Sequence, residues 1–196
     1  MTLVEALVTM AVTGLIMTFL ATTVQFCYRR YLTVGQRHDR QSQLLILSQR
    51  LGIELRRAPL ASLAAHYPSG NPATGDLMLS LLTPTTADGG YQRNAQGALL
   101  YQAHLVYYRS NLGIFGVRVP LAAPSPLVRQ QSPADMVSAA LLPGARCWVK
   151  GPCRFQLQDL PGNASSLVTD PLLLRVTLEK EGPTEVPFTF VVDLPG

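Results

Sequence analysis

The stretch Met1–Tyr28, MTLVEALVTMAVTGLIMTFLATTVQFCY, carries one formally charged side chain, Glu5. The twenty-three residues from Ala6 to Tyr28 are uncharged, and as a helix they would extend about 35 Å, enough to cross a bilayer core of roughly 30 Å. The segment reads as membrane-spanning. A carboxylate at bilayer depth costs on the order of 2.5 to 3.5 kcal/mol unless it finds a partner, so Glu5 asks for a cation. Read alone, Glu5 would be the acid of a signal anchor held at the interface, and Gly14 a small residue permitting close helix contact. A cleaved secretory signal fits less well, because its shorter apolar core follows basic residues and here an acid comes first.

Beyond Tyr28 nothing stops the helix before Ala58, although Gly35 and Gly52 each weaken it by about 1 kcal/mol relative to alanine. Leu44, Leu47, Leu51, Leu55 and Ala58 recur at helical steps and form an apolar stripe. Arg50, Glu54 and Arg57 lie largely away from that stripe and can pair along the helix. Pro59 restricts the residue before it and ends the pattern. A helix over residues 1–58 would be about 87 Å long. Its first half, apolar all round, must lie in lipid or be covered by copies of itself, while its second half should dock on a domain.

The order Met1-Thr2-Leu3-Val4-Glu5, followed by an apolar run with Gly14, resembles the mature N-terminus of the type IV pilin superfamily, which includes the type II secretion pseudopilins. The resemblance implies that a prepilin peptidase/methyltransferase cuts a leader before residue 1 and methylates the new amine. It implies that Glu5 pairs with the amine at Met1 of a neighbouring subunit, and that an inner-membrane assembly platform moves subunits from membrane to filament. It also implies a helix that loosens near Gly14 as it packs. The chain departs from the usual pattern at Met1, often phenylalanine in the family, and at Ala21 and Thr22, where many major pilins carry proline. The sequence shows no leader, so the mature form is the expectation.

Downstream, a turn-rich link runs from Pro59 to Gly75, punctuated by Pro68-Ser69-Gly70-Asn71-Pro72. Asp76 to Thr83, with Leu77-Met78-Leu79 and Leu81-Leu82, can supply a first strand. Ala98–Arg109 and Ile114–Leu121, rich in Tyr and Val, read as a hairpin joined through Ser110-Asn111-Leu112-Gly113. In the irregular connection from Ala122 to Arg146, Ser132-Pro133-Ala134-Asp135 has a capping hydroxyl, proline at the first helical position and an acid at the third, which predicts a short helix to about Leu142. Cys153–Leu160 alternates as a strand. Two more alternating strands, from Leu172 and to Val192, meet across Glu181-Gly182-Pro183-Thr184. Asn163-Ala164-Ser165 fits a glycosylation sequon.

The expected fold is therefore α+β: a long protruding N-terminal α-helix packed by its second half on an antiparallel β-sheet, the ladle fold of pilins. The expected divisions are 1–28 for the membrane or filament-core half, 29–58 for the amphipathic half, and 59–196 for the globular β-rich domain. The long arginine-rich helix, Tyr-rich hairpin and closing hairpin resemble the larger minor pilins and pseudopilins of the PilW and GspJ types.

Across 196 residues, 47% are hydrophobic and 14% charged, which is apolar for a soluble protein. The net charge of +4 is concentrated: Arg29, Arg30, Arg37, Arg40, Arg50, Arg56 and Arg57 meet only Asp39 and Glu54. Arg29, Arg30, Arg37 and Arg40 are the candidate polyanion contact, for phospholipid headgroups or nucleic acid, against the plainer reading of a solvated helix face. Cys147 and Cys153 enclose a Gly-Pro turn and form a candidate disulfide, worth about 2 kcal/mol in an oxidising compartment. Two reduced thiols or half of a metal site are the alternatives, though C-x5-C lacks zinc spacing. Cys27 lies in the apolar helix as a small hydrophobe.

His38, His66 and His104 are scattered, and neither a Gly-rich phosphate loop nor H-E-x-x-H is present, so the sequence points away from an enzyme, a cofactor or a metal site. The expected function is a structural subunit whose apolar helix packs into a homo- or hetero-oligomeric helical filament, through Met1 and Glu5, and whose globular domain is displayed at the cell surface. A minor subunit that primes or caps a secretion pseudopilus is the alternative within that class. An adhesion or DNA-uptake module is the alternative outside it.

Overall fold

The computed structural model describes residues 2–71, 74, 76–158, 172–178 and 186–192. One helix, α1, runs unbroken from Leu3 to Arg57 through Gly14, Gly35 and Gly52. Arg56 and Arg57 occupy its last turn, where cations complement the helix dipole, and Pro59 follows. The chain divides into two compact units, Met1–Ser42 and Gln43–Gly196. The last turns of α1, from Gln43, thus belong with the β-rich part.

Within that second unit the fold is α+β. After a 3-10 turn at Leu60–Ser62 come β1 (Ala64–His66), β2 (Met78–Thr83), β3 (Gln92–Arg93), β4 (Leu99–Ser110), β5 (Gly113–Ser125), α2 (Pro133–Ala140), β6 (Arg146–Lys150), β7 (Cys153–Gln158), β8 (Leu172–Leu178) and β9 (Val186–Val192). The strands make two sheets where one was expected. The first has the order β1-β2-β4-β5-β6, with β3 also paired to β4; the second has the order β7-β8-β9. All pairs between these strands are antiparallel. The C-terminal hairpin pairs Leu172 with Val192 and Leu178 with Val186. Its turn at 181–184, the sequon at 163–165 and Met1 lie outside the described residues.

The expected stripe is the core of this unit. Leu44, Leu47, Leu51 and Leu55 are buried with Leu77, Leu79, Leu81, Tyr107, Ile114, Val149 and Phe155, and Ala58 packs at the margin. A leucine buried to this degree contributes roughly 1.5 to 3 kcal/mol. β2 is buried on both faces, Ser80 included. Its other face belongs to a second cluster, in which Met136 and Ala139 of α2 cover Met78, Val106 and Val117. The start of α2 is the expected one: the Ser132 hydroxyl accepts from the Asp135 N–H at 3.2 Å.

Two readings are corrected. Glu54 does not lie away from the stripe but is only 1% exposed. It pairs with Arg50 at 2.9 Å and accepts from the Thr83 hydroxyl at 3.2 Å. Its burial is tolerable because both carboxylate oxygens have donors. The expected Cys147–Cys153 disulfide is not formed in this structure. The reason is a bulge. Ile114 faces Val149 but the next residue, Phe115, faces Cys147, so Trp148 is extra. Cross-strand partners share a face, and the extra residue moves Cys147 off the face that carries Val149. Cys153 is buried in the Val149 cluster at the start of the second sheet, and the Cys147 thiol donates to the Val149 carbonyl at 3.5 Å. Gly113 serves the same close approach: its φ is 141°, and a Cβ there would lie 1.9 Å from the Val149 carbonyl oxygen.

Candidate functional site

Leu3–Leu32 is a 30-residue helical segment with mean hydropathy 2.0 in its apolar window, none of it buried within the chain. Leucines, valines, methionines and phenylalanines from Leu3 to Phe26 face outward on every side of the helix. A surface of that kind needs lipid or protein around it. By length and composition the segment is compatible with a single-pass membrane anchor, and a signal sequence passes the same test.

The threonine hydroxyls of this segment are satisfied by the helix itself. Hydroxyls of Thr9, Thr13, Thr18 and Thr23 donate to the carbonyls of Glu5, Thr9, Gly14 and Phe19, four residues back, at 2.7 to 2.9 Å. Thr22 donates to Phe19 at 2.8 Å. Where no water is available, an unpartnered hydroxyl is costly, and bonding back to the helix removes that cost. Thr9, Met10, Thr13, Gly14 and Met17 line a shallow groove on the helix. Gly14 itself is in regular helix, its carbonyl holding Thr18 at 2.8 Å, and a Cβ there would meet nothing within 4 Å.

Glu5 lies at the start of α1 and takes part in a reciprocal cap. The Thr2 N–H donates to Glu5 Oε2 at 3.0 Å, and the Glu5 N–H donates to the Thr2 hydroxyl at 3.4 Å. Thr2-x-x-Glu5 is the spacing of a capping box, in which two helix-terminal N–H groups are satisfied at once. Thr2 is thus a site residue that the sequence reading missed, although T-x-x-E before an apolar run is a legible signal. The cap meets a lone pair and places the carboxylate at the positive end of the helix dipole. It supplies no counter-charge. The expected counter-charge is the Met1 amine of a neighbouring subunit, and Met1 lies outside the described residues.

The remaining site residues fall where α1 leaves its apolar stretch. Arg29 and Arg30 are exposed, Arg40 is half-buried, and Arg37 occupies the helix between them. Arg30 stacks its guanidinium over the Phe26 ring at 5.3 Å. In the other unit, the Tyr107 hydroxyl is pushed up to about 12 by burial and by the neighbouring Glu54 carboxylate, with Arg50 opposing. His104, under α2, is held below its ordinary value by burial, with Asp135 pulling the other way. Both groups are buried in the packing of the β-rich unit. No protein-family model, no curated protein and no solved structure matches this chain.

Proposed function

We propose that this chain is a non-enzymatic structural subunit of a type IV pilus or pilus-like filament, held in the inner membrane by Leu3–Leu32 and assembled by packing that helix against its copies or relatives. The observation that carries the reading is one helix that opens with a capped acid, stays uncharged and uncovered from Ala6 to Tyr28, and continues into a leucine stripe docked on an antiparallel sheet. Each part supports a step. The uncovered surface supplies the drive for association. The threonine hydroxyls, already bonded, do not oppose transfer from lipid to a protein core. Glu5 supplies the charge that selects a neighbour's amine over random contact.

The experiment is fractionation of cells making the full chain. A subunit of this kind is found both in the inner-membrane fraction, resistant to alkaline extraction, and in filaments released by shearing. A chain that stays wholly in the membrane, or is secreted with Leu3–Leu32 removed, would contradict the proposal. Copy number separates a major from a minor, priming subunit: stoichiometric presence along the shaft fits the first and trace presence fits the second.

A further inference from the structure

Four arginines lie just beyond the apolar segment, at positions 29, 30, 37 and 40, with Asp39 the one acid between residues 29 and 42. At roughly 100° per helical residue, all four fall within a sector of about 100°, and Asp39 lies on the far side. Residues 29 to 40 are continuous α-helix, so that sector is a one-sided basic face roughly 16 Å long. Phe26 stands in the same sector beneath Arg30. Tyr28 and Tyr31, 62% and 76% exposed, stand on the other side at the same level. Tyrosines at the end of an apolar span are the residues that settle at the headgroup level of a bilayer.

We infer that the Arg29–Arg40 face binds anionic phospholipid headgroups, in the leaflet on the globular-domain side of the membrane. The inference rests on the membrane-anchored reading of Leu3–Leu32. Helical Cα–Cβ bonds tilt toward the N-terminus, which directs the Arg29 and Arg30 stems back toward the apolar segment. Arg29 and Arg30 reach the headgroup layer directly. Arg37 stands about 10 Å further along the axis, near one Debye length, and Arg40 beyond it. The guanidinium fork matches phosphate oxygens in geometry as well as charge. Nucleic acid shares that chemistry, but the aromatic residues at this level surround the helix and form no stacking platform along the basic face.

The test places the full chain in nanodiscs of equal phosphatidylcholine and phosphatidylglycerol and counts the lipids it retains by native mass spectrometry. Each arginine near the surface favours anionic lipid by about five-fold, so wild type should retain phosphatidylglycerol over phosphatidylcholine by at least that factor. Arg29→Gln with Arg30→Gln should abolish most of the preference, while Arg37→Gln with Arg40→Gln should reduce it less; circular dichroism checks that each variant keeps its helix. Equal retention of the two lipids by wild type overturns the inference, as does displacement of the retained lipid by a short DNA duplex. A chain that never enters these nanodiscs would instead overturn the membrane reading beneath it.

Discussion

Replacing Glu5 separates the two things its carboxylate can do. In the isolated chain it accepts from the Thr2 N–H at 3.0 Å, a capping contact worth about 1 kcal/mol. In a filament core it would be a buried charge whose cost without a partner is on the order of 2.5 to 3.5 kcal/mol, or roughly 70- to 400-fold in an equilibrium. Glutamine serves a capping box as glutamate does but carries no charge; alanine does neither. Glu5→Gln should therefore keep the first turn of α1 intact, with amide exchange at residues 3–6 unchanged, and enter the membrane normally. It should leave the neighbour's N-terminal amine as the buried charge without a partner, at a similar cost, so that sheared filament yield falls by about two orders of magnitude. Glu5→Ala should show the same fall in yield and, in addition, about five-fold faster exchange of the first turn. Quantitative immunoblotting of sheared fractions alongside hydrogen exchange of the micelle-bound chain reads both effects. Full assembly by Glu5→Gln beside failure of Glu5→Ala would refute the reasoning, since Glu5 would then act through its cap alone.

Three further outcomes follow from the packing. Leu51→Ala removes a wholly buried side chain from the core of the β-rich unit and should lower its unfolding free energy by about 2 to 5 kcal/mol in urea titrations, whereas Ile46→Ala, on the exposed side, should change it by less than about 0.5 kcal/mol. His104 is depressed below 6.5 by burial, so the unfolded chain takes up its proton first as pH falls; the stability it contributes is complete above pH 6.5 and declines below it, by at most about 1.4 kcal/mol per pH unit, and His104→Gln should flatten that slope in denaturation curves at pH 5 to 7.5. With Cys147 and Cys153 as thiols, alkylation of the denatured chain should give the same mass with and without prior reduction, and Cys147→Ser should change stability equally under oxidising and reducing conditions.

What was legible in the sequence was what a single element determines by itself. The leucine stripe of α1 follows from helical spacing, the start of α2 from Ser132 and Pro133, and strand β2 from an apolar run too short for a helix. The expected α+β architecture follows from those pieces. What was not legible depends on a partner from elsewhere in the chain. Glu54 can be buried only because Thr83, 29 residues on, and Arg50 reach its two oxygens. The bulge that parts Cys147 from Val149 is a property of register between β5 and β6, which no periodicity in either strand records. β1 has three residues and exists only as the partner of β2. The separation into two sheets falls between β6 and β7, where the chain turns at Gly151 with a φ of 96°. At the candidate site, the position of Glu5 and the length of the apolar segment were legible, and the Thr2 cap was written in the same five residues.

The central claim is that Leu3–Leu32 packs against its like in a filament with Glu5 beside a neighbouring amine. Cryo-electron microscopy of filaments sheared from the source cells tests it directly. The expected result is a shaft or tip whose core holds this helix, with the Glu5 carboxylate within ion-pair distance of the N-terminal amine of an adjacent subunit. Filaments in which the chain occupies no position, or in which the Glu5 carboxylate faces solvent, would contradict it.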